Sequence, residues 1–143
     1  MPMPQDWAAM AQKLIPGDIL VIRHPGTHVM MYIGTLRSYG YTEKQLPSLA
    51  AYLDHPLMIH CGGNPRGVEN FTRIIRTTAD RRTAAANPPD GGVALALLGV
   101  PAQAADYMET ACGIDYPCFD VEGCCVTAFD FSTVSWYVWY RHL

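Results

Sequence analysis

Two short apolar runs, Ile19-Leu-Val-Ile22 and His28-Val-Met-Met-Tyr-Ile33, stand on either side of Arg23-His-Pro-Gly-Thr27. A Pro-Gly turn between runs of strand length favours one arrangement, an antiparallel hairpin, with Gly34 ending the second strand. The runs are apolar almost throughout, as in strands covered on both sides. Whatever else this chain folds into must therefore cover a hairpin. Upstream, Asp6 to Leu14 carries helix formers behind an aspartate at the N-cap position, and Ile15-Pro-Gly-Asp18 breaks that helix with a turn.

Downstream the pattern continues less regularly. Residues 35–54 read as an insertion, with a short helix over 43–53 interrupted by Pro47. Pro56 to Cys61 is a third strand closed by Gly62-Gly-Asn-Pro65, and Val68 to Thr77 alternates as a fourth. Arg81, Arg82, an alanine run and Asn-Pro-Pro-Asp-Gly-Gly mark residues 78–92 as a mobile connection between two halves of the domain. Val93 to Leu98 is a fifth strand. Pro101 to Cys112 reads as a helix, with proline in its first turn and Gly113 past its end. The stretch from Gly113 to Phe129 then reads as a loop delivering cysteine to the start of a closing helix over 125–140.

Composition narrows the classes. The 143 residues suit one domain, 1–143, in three portions: the sheet over about 14–77, the connection over about 78–92, and the cysteine helix over about 93–143. Half the residues are apolar and 16% are charged, which sets the chain apart from disordered tails. A net charge of −3 with no basic stripe argues against nucleic acid as a partner. The N-terminal residues show no basic-then-apolar secretory signal. The most apolar run, Val93 to Val100, falls far short of the ~20 residues that span a bilayer. Five cysteines without a leader fit reduced thiols, in a cytoplasmic protein or one exported without a classical signal peptide. The oligomeric state is left open.

The chemistry-bearing residues are cysteines and histidines. Cys118, Cys124 and Cys125 crowd one stretch, and a thiol at a helix start is biased toward the reactive thiolate. His28 opens one strand and His60 closes another. If both strands join one antiparallel sheet, the imidazoles lie along one edge, as base and orienting group for a thiol nucleophile. Zinc held by Cys118, Cys124 and Cys125 with His28 or His60 is the competing arrangement. Adjacent cysteines rarely both reach one tetrahedral ion, however, and no Cys-x-x-Cys pair is present. Serine elbows, P-loops and dinucleotide fingerprints are absent.

Three runs, Pro16-Gly-Asp-Ile-Leu20, His28-Val-Met-Met-Tyr-Ile-Gly34 and Met58-Ile-His60, resemble the NlpC-type papain-fold peptidases. That family carries a "PGD" turn, an "HVGIYxG" strand and an "IH" strand. Its cysteine segment, "G-x-P-Y", a Gly-rich loop and "D-C-S-G", is similar in kind to Gly113-Ile-Asp-Tyr116 and Cys124-Cys-Val-Thr-Ala-Phe129. Cysteine here follows the histidines, as in the family's circularly permuted branch. Cys124 stands where the family has Asp, Val126 where it has Ser, and residues 35–54 form an added insertion. The resemblance implies an α+β fold: a papain-like antiparallel sheet of about five strands packed with helices, in permuted order. It also implies a thiol hydrolase acting on an amide bond, with cell-wall peptides or peptidoglycan fragments as substrate and no cofactor or metal. Acyl- or lipid-directed relatives and a non-catalytic module are the alternatives. In its terms Cys125 is the nucleophile, with Cys124 the alternate. His28 is the base and His60 holds its ring, with Asn64 or His55 able to take that part. The N–H of Cys125 at the helix start binds the oxyanion, and Tyr116 lines the cleft.

Overall fold

Asp6 opens the first element, its Oδ1 accepting from the N–H of Ala9 at 3.0 Å. This satisfies one of the unpaired donors at the start of α1 (Trp7–Gln12). The computed structural model describes residues 4, 6–24, 26–61, 93–111, 114–122 and 124–142; side chains at 24, 61, 93, 94, 107–111, 114–116, 124 and 125 are outside that description. The expected fourth strand at 68–77, the connection at 78–92 and Asn64 also lie outside the described residues.

The hairpin forms as expected. β1 (Ile19–His24) and β2 (Gly26–Gly34) pair antiparallel from Ile19↔Met31 to His24↔Gly26, so the turn is tighter than five residues. β3 (Leu57–Cys61) runs antiparallel to β2, and β4 (Val93–Leu98) antiparallel to β3. Between β2 and β3, the insertion forms two short 3-10 turns, Arg37–Tyr39 and Pro47–Leu49, in place of a helix over 43–53. Arg37 ties it together through Glu43 and Asp54, each at 2.8 Å.

Past β4 the expectation fails. The helix expected over 101–112 is a 3-10 turn (Ala102–Ala104) followed by β5 (Tyr107–Ala111). The expected loop is β6 (Ile114–Val121), and the expected closing helix is β7 (Cys124–Phe129), a 3-10 turn (Phe131–Thr133) and β8 (Trp136–Tyr140). Among the described residues the strands make one eight-stranded sheet in the order β5-β6-β7-β4-β3-β2-β1-β8, in which β4 and β7 are parallel and every other pair is antiparallel. Among the described residues α1 is the one α-helix. The papain-like α+β fold, with helices packed on a five-stranded antiparallel sheet, is therefore overturned.

The physical reason lies in side-chain shape and spacing. Val126, Thr127 and Phe129 in β7, and Trp136, Tyr137, Val138, Trp139 and Tyr140 in β8, are β-branched or aromatic. Such residues lose rotamer freedom in a helix and pack well on a pleated surface. Val126 and Ala128 are buried in one core cluster while Phe129 packs against the other. That is the two-residue alternation of a strand.

Each side of the sheet has its own core. One holds Leu20, Ile22, Met30, Tyr32, Met58, Leu98 and Tyr137, packed under Trp7, Met10 and Leu14 of the helical segment and under Phe131. The other holds Leu57, Leu97, Phe119, Val121, Val126 and Ala128, with Leu36, Leu49 and Leu53 of the insertion set on it. Asp18 ties the chain's two ends together. It is buried, takes Ile15 N–H at 2.9 Å, and is gripped by Arg141 through two hydrogen bonds of 2.8 and 2.7 Å. Arg141 also donates to Lys13 O at 3.0 Å.

Candidate functional site

Residues opposite one another across a ladder share a side of the sheet, and successive residues alternate. By that rule the partnership Ile22↔His28 puts His28 on the side of Ile22, Met30 and Tyr32. Tyr32↔Met58 puts Met58 there, and with it His60 two residues on. The two imidazoles meet on that side. His28 Nε2 lies 2.9 Å from His60 Nδ1, and the rings stand nearly perpendicular, 87° apart, with centroids separated by 4.9 Å. One nitrogen of the pair must donate and the other accept.

Burial first, then the charge of a protonated His28, push the His60 imidazole down to about 4. A group that titrates there is neutral at neutral pH, with one ring nitrogen carrying a proton and the other a lone pair. Its second nitrogen, Nε2, is buried and has no hydrogen-bond partner among the described residues. Buried polar atoms in this state are uncommon in folded proteins.

The same alternation bears on the cysteines. His60 pairs with Ala94 in β4, and Leu95 pairs with Val126 in β7. Cys125 and Ala94 are the residues just before the first pair of that ladder. Along β7 Cys125 is an even number of residues from Phe129, and Cys124 an even number from Val126. At the usual ~4.8 Å strand spacing, the backbones of His60 and Cys125 are ~10 Å apart, with an alanine between them. The side chains of both cysteines lie outside the described residues.

Other expected participants are placed elsewhere. Cys125 is in a strand, its backbone paired with Asp120, so no helix dipole acts on its thiol and no helix start supplies an oxyanion N–H. Tyr116 is four residues along β6 from Asp120, roughly 13 Å at strand rise. His55 is engaged at the far end of β3, its Nδ1 2.8 Å from Leu98 O and its ring edge-on to Tyr52. Cys118 is fully buried in β6, four strand spacings from His28 in β2, or roughly 19 Å. That separation rules out zinc shared between Cys118 and His28. Among the described residues no group of three metal-ligating side chains comes together.

One feature escaped the sequence reading. A cleft of about 530 Å³ along β2 is lined by residues of both sides of the sheet, His28, Met30 and His60 from one and Thr27 with apolar Ile19, Val29, Met31 and Ile59 from the other. Val29 is 51% exposed and Met31 38%, so β2 is not buried on both sides as its composition suggests. The uninterrupted apolar run was the available signal; a strand facing water on one side normally alternates. Among the described residues, no helix is long and apolar enough to cross a membrane. Family models, curated proteins and solved structures were compared with the chain, and none matches it.

Proposed function

We propose that this protein is a thiol hydrolase that cleaves an amide bond in a small peptide of the cell-wall type, with Cys125 as nucleophile and the His28–His60 pair as its base. The observation that carries the reading is the 2.9 Å contact between the two imidazoles, in a sheet where β7, the strand of Cys125, is two strands from β3, the strand of His60. A base whose partner fixes its ring is the unit that nucleophilic cysteine chemistry requires. The peptide amide comes from the resemblance of the histidine strands to the NlpC-type motifs. The proposal keeps those residues and not the papain-like fold.

In this mechanism the thiol gives its proton to the pair as sulfur attacks the carbonyl carbon. The pair returns the proton to the leaving amine, and water, deprotonated in turn, releases the acid from the thioester.

The test is amine release from a γ-D-glutamyl stem-peptide amide by the purified protein. Wild-type and Cys124→Ala protein are expected to turn over, and Cys125→Ala to lose about 100-fold or more. Equal activity in Cys125→Ala and wild type would sink the assignment.

A further inference from the structure

A second cleft lies on the other side of the sheet from the histidine pair, and we propose that it binds a small organic cation, an amine carried on an apolar or aromatic body. The assignment goes beyond the thiol-hydrolase reading and uses none of its residues.

The cleft, of about 470 Å³, lies between the insertion and the strands it covers. That volume falls in the range of small-molecule sites. Its floor is Ile33 of β2, Leu57 of β3, Leu95 of β4 and Val126 of β7, all part of the insertion-side core or packed on it. Leu57 and Val126 are buried. The polar groups come from two other places. Tyr39 and Tyr41 belong to the insertion, and Glu122 lies in the turn between β6 and β7. Among the described residues Glu122 is the only charged side chain in the lining.

What the lining side chains can still bond is one-sided. Tyr39 OH donates to Ile33 O, and Tyr41 OH donates to Glu122 Oε2 at 2.9 Å. A phenol has one proton to give, so both tyrosine donors are committed inside the protein. No other side chain of the lining carries a donor. An anionic guest therefore meets a like charge and no side-chain donor. An ammonium meets a carboxylate, with tyrosine rings in the same lining able to take part in a cation–π contact. The backbone adds a second sign that this glutamate is not there for the turn. Glu122 has φ +51°, a left-handed value that Gly or Asn adopts at less cost in a two-residue connection such as that between paired Val121 and Cys124. Glutamate supplies what neither of those offers: a negative charge, tied to the insertion through Tyr41.

Three probes that share an indole body and differ in the head group test the site: tryptamine with an ammonium, tryptophol with a hydroxyl and indole-3-acetate with a carboxylate. Each is titrated into the wild-type protein at neutral pH and low salt, and methyl NMR shifts report where and how tightly it binds. Tryptamine is expected to shift the methyls of Ile33, Leu57, Leu95 and Val126. It should bind roughly tenfold more tightly than indole-3-acetate, with tryptophol between them. Equal affinity for all three, or shifts confined to residues outside this cleft, overturns the proposal. Glu122→Gln keeps an oxygen that accepts from Tyr41 OH and removes the charge. It should bring the ratio of tryptamine to indole-3-acetate affinity to about twofold or less, with tryptophol binding as in wild type. A ratio unchanged in Glu122→Gln also overturns the proposal, since the Glu122–Tyr41 bond is then a clasp alone. The wild-type series decides the matter by itself if the variant fails to fold.

Discussion

β2 contributes to both sides of the sheet, and the two sides are finished differently. On one, Met30 and Tyr32 are buried under the N-terminal helical segment and Phe131, with His28 at the end of the row. On the other, Val29 and Met31 stand in the open, because the insertion with Leu36, Leu49 and Leu53 covers β2 at Ile33 and reaches no further along it. The same backbone thus carries a dry row ending in a histidine pair and a wet apolar row beside it. The half-buried pair meets its need for a partner ring to ring at one nitrogen of each imidazole. An apolar surface facing water has no such requirement and is free to serve as a contact surface.

The largest effects are expected where packing is closed. Phe119→Ala removes a fully buried ring from the insertion-covered core and should cost about 3–5 kcal/mol in urea unfolding. A cost near that of Val29→Thr would mean the covered side is looser than described. Gly99→Ala comes next. Gly99 has φ +73°, and a Cβ there would run into the indole of Trp7. Left-handed strain and displacement of the ring together should cost about 2–4 kcal/mol, seen as a lower unfolding midpoint with quenched or shifted Trp7 fluorescence.

Asp18 sharpens the comparison through pH. Hydrogen bonds from the Arg141 guanidinium hold its carboxyl below the usual 3.8, against the opposing effect of burial. A depressed folded-state value means the contribution is fully present above 3.8 and is lost as pH falls through the lower folded value. Asp18→Asn should therefore be less stable than wild type at neutral pH, with the gap closing in acid below about pH 4. A gap that widens in acid would contradict the Arg141 clasp. The smallest effect belongs to the open row: Val29→Thr should leave stability within about 0.5 kcal/mol, while weakening binding of an apolar dye such as ANS.

How far the sequence could be read depended on local chemistry. The Asp6 cap, the Pro-Gly hairpin and the strands at 57–61 and 93–98 each have a signal contained within a few residues: a capping oxygen, a turn residue, a short apolar run. The His28–His60 meeting was legible only as a condition, that their strands share a sheet. Past residue 100 the local signals pointed the wrong way. Pro101 and Gly113 bracket a helix-like composition, yet Tyr107 to Ala111 extends as β5, because β6 offers a partner for its backbone. Cys124 and Cys125 were read as a helix start, and the pairing of β7 with β6 and β4 puts them in a strand instead.

The sequence by itself determined which residues are able to do chemistry, where the helix begins and where the chain first turns back, since these follow from side-chain type and turn geometry over a few bonds. The tertiary structure decided that the C-terminal third is sheet, and that His28 and His60 touch. It also decided that one side of β2 is dry and the other wet, and that the cysteines at 124 and 125 lie in a strand. Those outcomes depend on which strand lies beside which. Ladder pairing joins residues far apart in the chain, and a shift of one residue exchanges the two sides of a sheet.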